Sequence, residues 1–84
     1  MRRAAVFDAI TTERDRQAEI WDRDHGWGYG DCSSDGVAPI VKVAVLTEEC
    51  GEVARAVIDM ESKDSLRREL VQTAAVAVAW LESL

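Results

Sequence analysis

The segment VAVLTEECGEVARA, Val43 to Ala56, combines an apolar helix-forming run with three glutamates. If the segment forms one α-helix, Glu49 and Glu52 lie three residues apart and point to the same side of it. Leu46 and Val53 fill neighbouring positions on that side. Carboxylates against an apolar face are costly to bury unless another group compensates their charge. The segment therefore predicts a helix whose acidic residues have a partner elsewhere in the chain.

A second pair with the same spacing occurs downstream, where Glu69 precedes Gln72 on another very apolar helical run. Two helices that each carry such a pair can meet across a helical bundle and form an oxygen-rich pocket. Carboxylate and amide oxygens suit a hard cation, which predicts a site for Mg²⁺ or Mn²⁺. The alternative is a solvated helix face, because acid pairs at this spacing are common on protein surfaces.

Composition restricts the classes of protein that this chain can represent. Its 84 residues allow a single domain, and its two cysteines, without CxxC spacing, indicate reduced thiols and a cytoplasmic location. The net charge of −6 argues against a duplex nucleic-acid binder, which needs a basic face. The longest apolar run, residues 71–81, is too short to span a membrane.

Three helices are predicted, at about residues 3–24, 38–61 and 65–83, within one domain that covers residues 1–84. Pro39 suits the first turn of the second helix, and Asp64 is a candidate N-cap for the third. Gly51, in the middle of the second helix, costs about 1 kcal/mol relative to alanine. We expect a neighbouring helix or a ligand to approach the backbone there.

The loop at residues 25–36, HGWGYGDCSSDG, places Trp27 and Tyr29 among four glycines, just after Trp21 closes the first helix. These aromatic residues either cover an edge of the core or contact a nucleotide base. Lys42 and Arg68 are candidate phosphate contacts, and for Arg68 the alternative is a structural counter-ion. His25 is the only histidine, so a zinc site with several histidines is excluded.

The third helix becomes apolar on nearly every face from Ala74 to Leu81. Such a helix must be covered on every side, which two further helices of the same chain cannot easily achieve. The sequence therefore predicts self-association into a homodimer or homotetramer, in which the second and third helices pack on their copies. The fold class is all-α: a helical hairpin plus an N-terminal helix, oligomerising into a four-helix-bundle-like assembly.

The segments LTEECGEVARAV and LRRELVQTAAVAVAWLESL, with ERDRQAEIWDRDHGWG upstream, resemble the MazG-like all-α nucleoside triphosphate pyrophosphohydrolases of bacteria and phages. That family carries EExxE on one helix and ExxD on the next. The resemblance implies that Glu49, Glu52 and Glu69 are metal ligands and that Glu48 assists them or orients water. The family aspartate falls at Gln72. The amide oxygen of this glutamine can still bind Mg²⁺, but the site has one negative charge fewer than it would have with aspartate.

The function that follows from the resemblance is Mg²⁺-dependent cleavage of an NTP or dNTP to a nucleoside monophosphate and pyrophosphate. Glu48, Glu49 and Glu52 are its expected catalytic residues. The alternative is a catalytically weak relative that binds nucleotide, or a helical module for protein interaction and oligomerisation, and Gln72 favours this alternative.

Overall fold

A computed structural model describes all 84 residues and contains three α-helices and no strands. The helices are α1 (Arg3–Ile20), α2 (Pro39–Ile58) and α3 (Lys63–Glu82). The all-α prediction is confirmed. The third helix is central, because α1 and α2 each pack against α3 and not against each other.

Local capping sets the ends of the helices. Pro39 occupies the start of α2, as predicted. Helix α3 begins earlier than expected because Ser62, not Asp64, is the N-cap, and its hydroxyl accepts a hydrogen bond from the backbone N–H of Ser65 at 3.1 Å.

Helix α2 ends in a Schellman turn. The N–H of Met60 donates to the carbonyl of Val57, and the N–H of Glu61 donates to that of Ala56. Met60 takes the left-handed position of this turn, with a φ of +50°. Because this conformation stops helix propagation, α2 ends at Ile58 and not near residue 61.

Helix α1 ends at Ile20, four residues before the predicted boundary, and residues 21–38 form a long connection folded on itself. An isolated β-bridge joins Asp24 and Tyr29. Gly28 has a φ of +142°, and a Cβ there would lie 2.2 Å from the carbonyl oxygen of Gly36. Only glycine allows these two parts of the loop to approach so closely.

The interior is small. Its buried apolar side chains come from α3 together with α2 and the loop: Cys32, Val37, Ala56, Ala75, Val76 and Ala79. Large apolar side chains stay exposed, among them Ile40 at 74% and Ile58 at 71% on α2, and Leu81 at 68% on α3. None of the three helices has both the length and the apolar character that crossing a membrane requires.

Candidate functional site

Two carboxylates lie at the contact between α2 and α3 without hydrogen-bond partners. Glu49 and Glu69 are both half-buried, and the Oε2 atom of each is shielded from solvent and accepts no hydrogen bond. Buried carboxylate oxygens without a donor are unusual because each loses its hydration without compensation. The pairing of an acid on α2 with an acid on α3 is the arrangement that the two spaced pairs predict.

The electrostatics show how closely the acids are grouped. Burial raises the pKa of Glu49 most, and the negative charges of neighbouring acids raise it further, in the order Glu52, Glu69, Glu48 and Glu13. Glu48 and Glu52 are exposed on α2, so water screens their charges. Glu49 therefore binds a proton more favourably than an isolated glutamate does.

No three carboxylate, imidazole or thiol groups converge as a preformed metal centre. Gln72 is half-buried, and its backbone carbonyl accepts a hydrogen bond from Nε2 of Gln17 at 3.2 Å. Nothing in the chain engages the Gln72 side-chain amide. The residues available to a cation are thus the two unpartnered oxygens of Glu49 and Glu69, with the exposed acids and the Gln72 amide close by in sequence.

A cavity of about 60 Å³ opens beside Glu49. Trp21 and Trp27 line it, so two of the three aromatic residues predicted to contact a base share a cavity with a predicted metal ligand. Apolar residues of the loop, α2 and α3 form other parts of its lining: Val37, Val41, Val45, Val76 and Ala79.

His25 lies between the two tryptophans. Its ring centroid is 4.5 Å from that of Trp21, at an interplanar angle of 51°, and 5.4 Å from that of Trp27, stacked at 16°. Its Nε2 atom lies 3.1 Å from the carbonyl oxygen of Trp21. His25 follows Trp21 by four positions. The return of the loop that brings Trp27 onto the His25 ring was not predictable from spacing.

The other candidate substrate contacts do not line this cavity. The Tyr29 side chain is exposed, and its hydroxyl donates to the carbonyl of Asp22 at 3.3 Å. Lys42 is buried and its ammonium donates to the hydroxyl of Ser83 at 2.9 Å, which ties α2 to the end of α3. Arg68 is exposed and forms no ion pair within the chain.

Sequence reasoning missed a polar cluster at the cavity, whose lining includes Asp31. Arg14 is buried; it donates to Asp31 in the loop and, through Nε and Nη2, to Glu82 at 3.2 and 3.0 Å. Burial would raise the pKa of Asp31, but hydrogen bonds from Ser33 and the charge and hydrogen bond of Arg14 lower it overall. This cluster joins α1, the loop and the end of α3, and thereby fixes the loop against the bundle.

Gln17 is the other residue that sequence reasoning missed. It is buried and lines the cavity, and its Nε2 atom donates to Oε2 of Glu13 as well as to the carbonyl of Gln72. The sequence did indicate that Gln17 is buried, because it falls at the same helical spacing as the apolar residues Ile10 and Trp21 of the first helical segment. A polar residue at such a position must find partners in the interior.

Comparisons with the profiles of known protein families, with curated proteins and with solved structures found no match for this chain.

Proposed function

We propose that this protein is a Mg²⁺-dependent nucleotide pyrophosphohydrolase of the MazG-like kind, which converts an NTP or dNTP to a nucleoside monophosphate and pyrophosphate. The observation that carries the proposal is the pair of unpartnered, solvent-shielded oxygens of Glu49 and Glu69, adjacent to a cavity lined by Trp21 and Trp27. Those oxygens fit a divalent cation, which would replace the hydration that each carboxylate has lost.

The residues that would hold the cation are Glu49 and Glu52 from α2, Glu69 from α3, and the amide oxygen of Gln72. When bound, Mg²⁺ (or Mn²⁺) supplies a Lewis acid that neutralises phosphate charge and activates a water molecule. Glu48, which is exposed and precedes Glu49 in sequence, would orient water or accept its proton.

Within the chain, the aromatic side chains of Trp21 and Trp27 would bind the base, and the loop would hold Trp27 in position. The Trp21 and Trp27 rings provide flat apolar surfaces beside Glu49, suited to stack on a nucleotide base. Because the loop holding Trp27 is fixed by Asp31 and Arg14, base and triphosphate would be presented at a constant distance from the acids.

Self-association into a homodimer or homotetramer, as a four-helix-bundle-like assembly, is part of the proposal. It is supported by the exposed apolar side chains of α2, including Ile40, Val57 and Ile58. A large apolar surface on so small a domain is typical of an interaction face.

A second candidate is a catalytically weak relative that binds nucleotide, or a helical interaction module. Gln72 favours it, because an amide at this position offers no negative charge to a cation and cannot act as a base. The substitution Gln72→Asp separates the two candidates: a gain in hydrolysis supports an intact site with reduced activity, whereas no activity in either form supports a binding role.

The primary test is pyrophosphate release from a panel of NTPs and dNTPs with Mg²⁺ or Mn²⁺. Glu52→Gln is the main variant because Glu52 is exposed and the fold does not depend on it. Glu19→Gln, an exposed glutamate of α1 whose side chain has no partner, is the matched control for charge. We expect activity that Glu52→Gln abolishes and Glu19→Gln preserves. Absence of release from every nucleotide with both metals would refute the enzymatic proposal.

A further inference from the structure

The orientation of the Gln17 amide is fixed by its partners. Its Nε2 atom donates to Oε2 of Glu13 at 3.1 Å and to the carbonyl oxygen of Gln72 at 3.2 Å. Both partners can only accept. The backbone carbonyl of Gln72 has no hydrogen to donate, and both oxygens of Glu13 already accept hydrogen bonds from Arg16. A flipped amide would place oxygen against oxygen, so Oε1 of Gln17 is the atom left free.

This free oxygen is an acceptor on a buried residue of the cavity that Trp21 and Trp27 also line. Asp31 and Glu49 add carboxylate acceptors to the same lining. Oδ1 of Asp31 is occupied by the backbone N–H and hydroxyl of Ser33, and Oδ2 by Arg14, whereas Gln17 Oε1 accepts nothing within the chain. A ligand that donates a hydrogen bond is therefore favoured over one that presents another acceptor.

The size and walls of the cavity restrict the ligand further. A volume of about 60 Å³ corresponds to roughly four to six water-sized positions, at 10–15 Å³ each. This space suits a single six-membered ring better than a fused purine. The two tryptophans supply aromatic surfaces for such a ring.

We propose that this cavity takes the base of a cytosine nucleotide and that Oε1 of Gln17 accepts a hydrogen bond from its exocyclic amino group. The proposal rests on the proposed function, in that the ligand is a nucleotide, and it adds the choice of base. Uracil and thymine are disfavoured because their one ring N–H available for pairing lies between two carbonyl oxygens. A uracil ring that donates this N–H to Gln17 also brings its two carbonyl oxygens into a lining that carries the carboxylate of Glu49.

The test measures binding of nucleoside monophosphates without divalent cation, so that it does not depend on hydrolysis. The fluorescence of Trp21 and Trp27 reports occupancy of the cavity, while Trp80, which does not line it, contributes a constant background. We expect dCMP to bind roughly 5- to 50-fold more tightly than dUMP, since one buried hydrogen bond is lost and an acceptor is left unpaired. The larger dAMP should bind more weakly than dCMP despite its amino group.

The variant Gln17→Met keeps the length of the side chain and removes the acceptor. We expect the ratio of dUMP to dCMP dissociation constants to fall to about 1, while Glu19→Gln leaves it unchanged. Equal binding of dCMP and dUMP by the unmodified chain would overturn the proposal, and this comparison does not require that any variant folds. A preference for dCMP that persists in a folded Gln17→Met variant would overturn the role of Gln17.

Pyrophosphate release from CTP and UTP, measured in parallel, separates this inference from the proposed function. Selective dCMP binding without pyrophosphate release would support the cavity as a cytosine site and reject the enzyme. Hydrolysis of both nucleotides at equal efficiency would support the enzyme and reject the cytosine site.

Discussion

Replacing Glu49 by glutamine should stabilise the metal-free protein. Oε2 of Glu49 is shielded from solvent and has no donor, and burial together with Glu52 and Glu69 raises the pKa of this carboxyl. An unsatisfied buried polar group costs about 1–3 kcal/mol. Because Glu49 is only half-buried, we take the lower end and expect Glu49→Gln to raise the free energy of unfolding by about 1 kcal/mol. For a domain of this size that corresponds to an increase in Tm of roughly 4–8 °C.

A divalent cation should make the unmodified chain more stable than Glu49→Gln. If Glu49 and Glu69 hold Mg²⁺, a concentration 100-fold above Kd stabilises the unmodified chain by about 2.7 kcal/mol. The amide in Glu49→Gln provides neither the charge nor the second strong oxygen ligand, so its gain should be small. The unmodified chain should therefore melt below the variant in EDTA and above it in Mg²⁺.

The difference in EDTA should also depend on pH. A carboxyl whose pKa is raised in the folded state is destabilising above that pKa, and the cost disappears as the pH falls through it towards the ordinary value of 4.5. The stability advantage of Glu49→Gln should therefore be largest near neutral pH and should shrink towards pH 4.5.

The assay is thermal unfolding followed by circular dichroism, in EDTA and in Mg²⁺, at neutral and acidic pH. Glu19→Gln is the control, since it removes one negative charge from a chain of net charge −6 at an exposed position without partners. Equal Tm values for the two variants in EDTA would refute the assignment of a local cost to Glu49. An equal rise in Tm for the unmodified chain and for Glu49→Gln in Mg²⁺ would refute its role as a ligand.

Three further substitutions test the fold. Arg14→Ala should lower the free energy of unfolding by about 3 kcal/mol in urea titrations, because it leaves the Asp31 carboxylate, whose side chain is only 10% exposed, without its ion-pair partner. This loss should diminish in acid, since the lowered pKa of Asp31 makes its contribution present above 3.8 and lost as the pH falls further. Met60→Gly should stabilise the protein by about 0.5–1 kcal/mol by relieving the left-handed φ of +50°, and an unchanged Tm would contradict the Schellman turn. Gly51→Ala adds a methyl group that meets nothing within the chain, so we expect a gain of about 1 kcal/mol in the monomer together with weaker self-association in sedimentation equilibrium. Unchanged association would place the contact between copies away from Gly51.

The sequence predicted those features that depend on local spacing. The three helices follow from apolar periodicity. Glu69 is near enough to Glu49 for its charge to raise the pKa of Glu49, and this proximity follows from the two spaced pairs on helices joined by a short turn. The ends of the helices were less accessible. Ser62 and Asp64 are both suitable N-cap residues for α3, and sequence alone did not choose between them. Met60 takes the left-handed conformation that ends α2, where a glycine in the sequence would have predicted the helix end.

Features that depend on contacts between distant residues were not predictable. Arg14 reaches Glu82 across 68 positions of sequence, and Gln17 reaches the carbonyl of Gln72 across 55. Neither contact has a periodic signature, because each is determined by the packing of α1 on α3. The cavity arises in the same way, since Trp27 reaches His25 only through a loop return that glycines permit.

Helix α2 shows how one sequence register can serve both the site and assembly. Lys42, Glu49 and Ala56 are spaced by seven residues, and the first and last are buried while Glu49 is half-buried. Residues one position further along at the same spacing, Val43, Cys50 and Val57, are all exposed. Because a spacing of seven keeps residues on nearly one line along a helix, the first line faces the rest of the chain and the second, rotated by about 100°, faces outward.

A second copy could therefore pack along this outward line without displacing Glu49 from α3. Assembly and the candidate site would then be separable by mutation. Substitutions at Val57 should change the oligomeric state and leave the stabilisation by Mg²⁺ unchanged. Glu49→Gln should reduce the stabilisation by Mg²⁺ and leave the oligomeric state unchanged.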